Sequence, residues 1–233
     1  MKIGILEADR LSDTLREQYG SYGDMFQNLL RSIDNNLVLP RYQVMESDYP
    51  EDIEDCDAYL ITGSNSGIYD DKPWIKQLHD YVISLDDRKK KLIGICFGHQ
   101  LIAQALGGRA QKSEKGWGVG ISTSTVYVSK PWMEPAKETF SLLISHQDQV
   151  TALPPNAELI AGNDFSTYAS FQIGDHILTF QGHPEFTQEY ARQRMNDRRE
   201  IIGEELYQKG IASLNQNADH SLIAKWIINF VRG

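Results

Sequence analysis

Short apolar runs alternate with amphipathic stretches along the first half of the chain. Residues 2–6, 58–62 and 91–95 are nearly continuous apolar runs, the pattern of strands buried on both faces. Residues 42–46 make a further strand candidate. Between these runs the period changes. Met25, Phe26, Leu29, Leu30 and Ile33 fall on one face of a helix over residues 25–33. Residues 73–85 predict a second helix, opened by Pro73, and residues 100–106 a third, with Leu101, Ile102, Ala105 and Leu106 on its apolar face. Strand and helix in strict alternation predict βαβ units, a mostly parallel central sheet flanked by helices.

The second half follows a different rhythm. Residues 116–128 and 139–144 show β-branched alternation, and strands are expected at 157–161, 168–173 and 176–180. Gly174-Asp175 supplies a two-residue turn between the last two. This predicts a small antiparallel β extension. Residues 188–208 and 222–231 read as helices, the first strongly charged, the second apolar at Leu222, Ile223, Trp226, Ile227 and Phe230. No repeat, low-complexity segment or Pro/Gly-rich linker interrupts the pattern, so residues 1–233 are expected to form one α/β domain.

Composition narrows the function classes. A formal charge of −9 argues against nucleic-acid binding through a general basic surface. No run approaches a membrane span, and the acidic residues of MKIGILEADR come too early for a secretory signal. Two cysteines, Cys56 and Cys96, make no disulfide framework and suit a reducing cytoplasm, the expected location. The six histidines show no metal-ligand spacing, so neither a metal nor a cofactor is expected.

One stretch carries chemistry. In Lys91–Gly108, KLIGICFGHQLIAQALGG, Cys96 lies where the strand ends and a helix begins, flanked by Gly94 and Gly98. A thiol on such an elbow faces the positive end of a helix dipole and its free N–H groups, which favours the thiolate and can stabilise an oxyanion. The alternative is a small buried core cysteine; Cys56, without flanking glycines, reads that way. A nucleophile also needs a base, and the base an orienting acceptor. His183-Pro184-Glu185, directly after the 176–180 strand, offers both. Taken alone, His183 reads as a turn histidine hydrogen-bonded to backbone, and Glu185 as a solvated carboxylate or the start of a helix.

Together the segments are more specific. Gly94-Ile95-Cys96-Phe97-Gly98-His99-Gln100, Ser145-His146-Gln147-Asp148-Gln149-Val150 and Gln181-Gly182-His183-Pro184-Glu185 resemble, in content and order, the class I (triad) glutamine amidotransferases. The resemblance covers most of the chain and is strongest to stand-alone proteins similar to the amidotransferase domain of GMP synthase. It implies a flavodoxin-like fold and a Cys96–His183–Glu185 triad that hydrolyses a glutamine side-chain amide through a γ-glutamyl thioester. It further implies an oxyanion hole from the backbone N–H groups of Phe97 and the Gly63–Ser64 loop, and substrate contacts at Gln100, Trp117 and Gly118. From the helix pattern alone Gln100 is equally a solvent-facing residue, and Trp117 a packing aromatic. His99 is tempting as a base, but the resemblance assigns that role to His183, and it puts His146 and Asp148 near the site entrance. His79, His176 and His220 read as surface or strand residues.

The chain departs from the family in two places. Where many members carry a Gly-Gly-Pro loop, it has Thr62-Gly63-Ser64-Asn65-Ser66-Gly67-Ile68-Tyr69-Asp70, which adds Tyr69 and Trp74 as candidate pocket walls. It also has no P-loop for ATP. The leading expectation is a glutaminase, with a separate synthase as candidate recipient of its ammonia. The alternatives are a γ-glutamyl peptide hydrolase and a catalytically silent binding or regulatory module. The expected ligand is a small molecule, glutamine or another γ-glutamyl compound.

Overall fold

Nine strands form one sheet, with helices on both faces and a separate two-stranded sheet beside it. The computed structural model describes residues 1–233. In chain order the elements are β1 (Ile3–Glu7), α1 (Asp13–Tyr19), α2 (Tyr22–Arg31), β2 (Arg41–Gln43), β3 (Ala58–Ile61), α3 (Pro73–Asp87), β4 (Lys91–Ile95), α4 (Phe97–Ala105), β5 (Arg109–Lys112), β6 (Gly118–Val126), β7 (Thr139–His146), β8 (Asp148–Ala152), β9 (Ala157–Gly162), β10 (Ser170–Ile173), β11 (Ile177–Phe180), α5 (Gln188–Asp197), α6 (Arg199–Ile202), α7 (Glu204–Ser213) and α8 (His220–Arg232).

The sheet order is β2-β1-β3-β4-β11-β10-β9-β6-β7. From β2 to β11 every pairing is parallel; beyond β11 every pairing is antiparallel. The antiparallel extension is therefore a continuation of the main sheet, to which the β5–β8 pair is added. Its far edge curls back: the N–H of His183 donates to the Leu143 carbonyl at 2.8 Å, tying β7 to the segment that follows β11.

Alternation along the parallel strands sorts side chains into two cores. Ile3, Ile5, Leu60, Ile93, Ile95, Leu178 and Phe180 face α2 and α8, meeting Phe26, Leu30, Trp226 and Ile227. Leu6, Tyr59, Ile61, Leu92 and Ile177 face α3 and α4, meeting Leu78, Val82, Leu101 and Ile102. Each strand is buried on both faces, which is why the runs read as continuously apolar rather than alternating.

Several expected boundaries shift. The strand expected at 42–46 ends at Gln43 and tightens into a 3-10 turn over Val44–Glu46. The helix expected from residue 100 begins at Phe97, directly after Cys96. The charged helix expected over 188–208 is three helices: it breaks at Arg198, with φ −108° and ψ 8°, and again at Gly203, whose φ of +80° an α-helix cannot contain. Helix α1 and the β5–β8 pair were not expected from the pattern. No helix is long and apolar enough to cross a membrane.

Candidate active site

The strand-to-helix elbow is built by steric exclusion. Cys96 adopts φ +51° and ψ −99°, a conformation that L-residues rarely hold outside functional sites. Its N–H donates to the Phe180 carbonyl of β11 at 2.9 Å, and its carbonyl accepts from the Gln100 N–H at 3.1 Å. So the backbone turns from sheet to helix within one residue. The flanking glycines permit this. A Cβ on Gly98 would lie 2.6 Å from the Ile61 carbonyl oxygen, and one on Gly94 would lie 2.8 Å from the Gly98 backbone.

Strand pairing then delivers the second group. Phe180 on β11 lies opposite Ile95 on β4, so the residues that follow both strands emerge at the same sheet edge. Here Cys96, His183 and Glu185 are all buried. The Nδ1–H of His183 donates to Glu185 Oε1 at 2.7 Å, and the imidazole stacks on Phe186 at 3.8 Å between centroids. Burial alone would depress the His183 pKa; the Glu185 carboxylate and the Cys96 sulfur outweigh it and push the value up to about 10. An imidazolium there is a suitable counter-ion for a thiolate. The Pro184 carbonyl accepts from His220 Nδ1 at 2.8 Å, so His220, read from sequence as a surface residue, braces this turn.

Gly63 completes the arrangement. A Cβ on it would fall 2.7 Å from His183 Cε1 and 3.6 Å from Cys96 Cβ, so the loop backbone is pressed against both side chains. The N–H groups of Gly63 and Ser64 have no partner within the protein, and neither has the N–H of Phe97 in the first turn of α4. A buried thiol, an imidazole with its carboxylate, and unpaired amides on two sides form a constellation suited to acyl transfer.

Above Cys96 opens a cavity of about 270 Å³. Ser64, Gln100, Trp117, His146, Asp148 and Arg198 line it, with Tyr69, Asp70 and Lys112 at its rim. Gln100 is not solvent-facing: its amide nitrogen donates to the Asp148 carbonyl at 2.8 Å and to Gln181 Oε1 at 3.1 Å. Trp117 lines the cavity and stacks under the Arg198 guanidinium at 5.0 Å. Gly118 lies behind that wall, opposite His146 on β7 and packed against Phe165. His146 is buried and neutral, its pKa lowered to about 4 by desolvation; its Nδ1–H donates to the Asp148 carbonyl at 2.9 Å. Asp148, expected near the site entrance, opens β8, and its carboxylate accepts from the Tyr69 hydroxyl at 3.1 Å across the mouth. Trp74 is no pocket wall; it packs on Phe97 beneath the elbow. His99 turns away to Thr179 of β11, at 2.8 Å.

The residues missed by the sequence reading are Arg198, Lys112 and Asn65. Asn65 sits beside Ser64 in the quoted loop but shows no local sign of its distant partners, and Arg198 belongs to a stretch that reads as a solvated, charged helix.

With this geometry in hand, comparison with known proteins is decisive. The profile of the family described as glutamine amidotransferase class-I matches residues 16–201. The chain belongs to the class-I glutamine amidotransferase family. Among its relatives, γ-glutamyl peptidase 4 of Arabidopsis thaliana is 34% identical over 185 residues, covering 76% of the chain and 73% of that protein. The glutamine-hydrolysing GMP synthase of Thermomicrobium roseum is 31% identical over 131 residues, which cover 54% of the chain and 23% of the synthase. In fold, the chain superposes on a glutamine amidotransferase of Thermotoga maritima with a TM-score of 0.75 at 15% identity, covering 99% of this chain and 96% of that one. The expected fold class and family are thus both observed, and the relatives of the chain include proteins named γ-glutamyl peptidase.

Proposed function

We propose that residues 1–233 act as a single catalytic domain that hydrolyses γ-glutamyl amide bonds, with γ-glutamyl peptides as the substrate class. The observation that carries this reading is the buried Cys96–His183–Glu185 group beneath unpaired amides, at the floor of a cavity whose walls bear both charges.

In this reading the Cys96 sulfur attacks the γ-carbonyl carbon, and the oxyanion is held by N–H groups of Gly63, Ser64 and Phe97. His183 transfers a proton to the leaving amine as the carbon–nitrogen bond breaks, leaving a γ-glutamyl thioester. It then takes a proton from water, which attacks the thioester and releases glutamate. Glu185 holds the imidazole in one tautomer and supports its charge throughout. Gln100 and Trp117 line the path of the substrate, and Gly118 shapes it from behind.

Two observations favour a peptide over glutamine. Relatives that carry the name γ-glutamyl peptidase match three quarters of the chain or more. The second is Arg198, whose own partners are all neutral: Ser145, Asn65 and the Trp117 ring. A half-buried guanidinium with no carboxylate in direct contact, Asp9 being reached only through Asn65, favours a substrate that brings a carboxylate on its leaving side. The glutaminase reading, with ammonia passed to a separate synthase in the cytoplasm, is supported by the GMP synthase match.

The test is to assay the purified chain against glutamine and a panel of γ-glutamyl dipeptides, with Cys96→Ser as control. Faster release of the amino acid from dipeptides than of ammonia from glutamine supports the peptidase. The reverse order supports the glutaminase. Absence of turnover together with no labelling of Cys96 by a glutamine-analogue electrophile would leave only a silent binding module.

A further inference from the structure

The loop that covers Cys96 has no Gly-Gly-Pro segment, and beyond the local Thr62–Gly63 and Ser64–Ser66 hydrogen bonds it needs a tie to the rest of the fold to hold the unpaired Gly63 and Ser64 amides. What fixes it lies one residue further on. Asn65 uses both ends of its side chain and its backbone. Its N–H and its Nδ2 donate to Asp9 Oδ2, at 2.9 and 2.7 Å. Its Oδ1 accepts from Arg194 Nη2 at 2.6 Å and from Arg198 Nη2. Asp9 follows the carboxyl end of β1 and is itself fixed by the Arg10 N–H at 2.9 Å. Arg194 is buried on α5, the helix that begins at Thr187, just after the His183-Pro184-Glu185 turn. One amide side chain therefore ties the loop to the strand on one side and to the base-bearing segment on the other.

Other contacts hold parts of the loop. The Thr62 hydroxyl donates to the Gly63 carbonyl and accepts from the Ala8 N–H, both at 3.0 Å, and Ser64 Oγ accepts from the Ser66 N–H at 3.1 Å. Lys72 holds Ser66 and Asp70, and Tyr69 holds Asp148, beyond the Gly63–Ser64 amides. None of these reaches the base-bearing segment; Asn65, itself exposed, does. The electrostatics also select asparagine. Two guanidinium groups and a carboxylate meet at this point, and Asn65 is a neutral group that accepts from the cations while donating to the anion. An aspartate could not donate to Asp9 and would set two carboxylates side by side.

We propose that Asn65 is the positioning residue of the oxyanion loop, replacing by a side-chain clamp to Asp9, Arg194 and Arg198 the rigidity that a Gly-Gly-Pro segment would supply. This inference rests on the reading of Cys96 as nucleophile, and its test separates the two.

Asn65→Ala, Asp9→Ala and the double variant are compared with the wild type on a chromogenic γ-glutamyl anilide. Loss of one oxyanion donor costs about 10²–10³ in kcat, so a displaced one should cost about 10–100-fold, with KM changed by less than about threefold. The double variant should lose no more than the worse single one. Alkylation of Cys96 by iodoacetamide forms no oxyanion and should keep its rate. Hydrogen exchange across residues 62–72 should quicken in Asn65→Ala.

A kcat that stays near wild type overturns the proposal. So does a fall in kcat matched by an equal fall in alkylation, which would place the defect at the thiol. If the wild type itself turns over no γ-glutamyl amide, the functional reading fails, and hydrogen exchange still decides the clamp: unchanged exchange across 62–72 overturns it.

Discussion

Replacing Cys96 by alanine and by glycine measures what the elbow costs the fold, free of any confusion with catalysis, since neither variant has a nucleophile. At an ordinary buried site glycine is worse than alanine on two counts. Its extra backbone freedom in the unfolded chain costs about 0.5–1 kcal/mol, and the lost methyl group gives up about 0.8 kcal/mol of burial. Together that is a deficit of about 1.5 kcal/mol. At position 96 a third effect acts in the other direction. A side chain held at φ +51° and ψ −99° carries strain on the order of 1–3 kcal/mol, which glycine relieves. With about 2 kcal/mol of relief, Cys96→Gly should be level with Cys96→Ala or up to about 1 kcal/mol more stable. Ala103→Gly, at a fully buried position on the same helix, is the control and should show the full deficit. Urea unfolding followed by tryptophan fluorescence gives the differences, and thermal midpoints should separate by about 2–4 °C per kcal/mol. If Cys96→Gly falls below Cys96→Ala by as much as the control, the elbow stores no strain and the reasoning is wrong.

Three further outcomes follow from the site. Gly98→Ala puts a methyl 2.6 Å from a backbone oxygen that cannot swing aside, so it should cost about 1–3 kcal/mol or more in urea unfolding and lower kcat as α4 is pushed off β3. The raised pKa of His183 contributes stability that is complete below the ordinary imidazole value of 6.5 and fades as pH rises through about 10. Urea midpoints measured from pH 6 to 10 should therefore decline, and Glu185→Gln, which removes the main support of the imidazolium, should flatten that decline. Lys112→Ala should raise KM for γ-glutamyl dipeptides by about two- to fivefold, the worth of one exposed charge contact, while leaving KM for glutamine unchanged.

Much of this architecture is legible in the chain because burial leaves a local trace. The runs at β1, β3 and β4 are apolar throughout because both faces are covered, and the Gly94-Ile95-Cys96-Phe97-Gly98 elbow needs its glycines within two residues of the thiol. His183 and Glu185 are equally local, two residues apart on one turn. Asn65 is not. Its partners Arg194 and Arg198 come from a helix whose charged residues look solvated, and no period links them to residue 65. Gln100 misleads in the opposite way: its position on α4 is compatible with solvent, and only the distant Asp148 and Gln181 reveal that it is buried. The Arg109–Lys112 strand escaped notice because Arg-Ala-Gln-Lys carries no alternation strong enough to mark an edge pair.

The pairing of β4 with β11 has a consequence for how this family can vary. Cys96 directly follows β4 and His183 follows β11 by three residues, so sulfur and imidazole set out from the ends of neighbouring strands about 4.8 Å apart. The backbone ladder is the ruler, and everything between residues 96 and 177 is an excursion that leaves the ruler and returns to it. Exposed stretches on that excursion, such as residues 113–116 between β5 and β6, can change length or surface without moving either strand end. Substrate range and assembly are in that sense free to evolve around a fixed gauge.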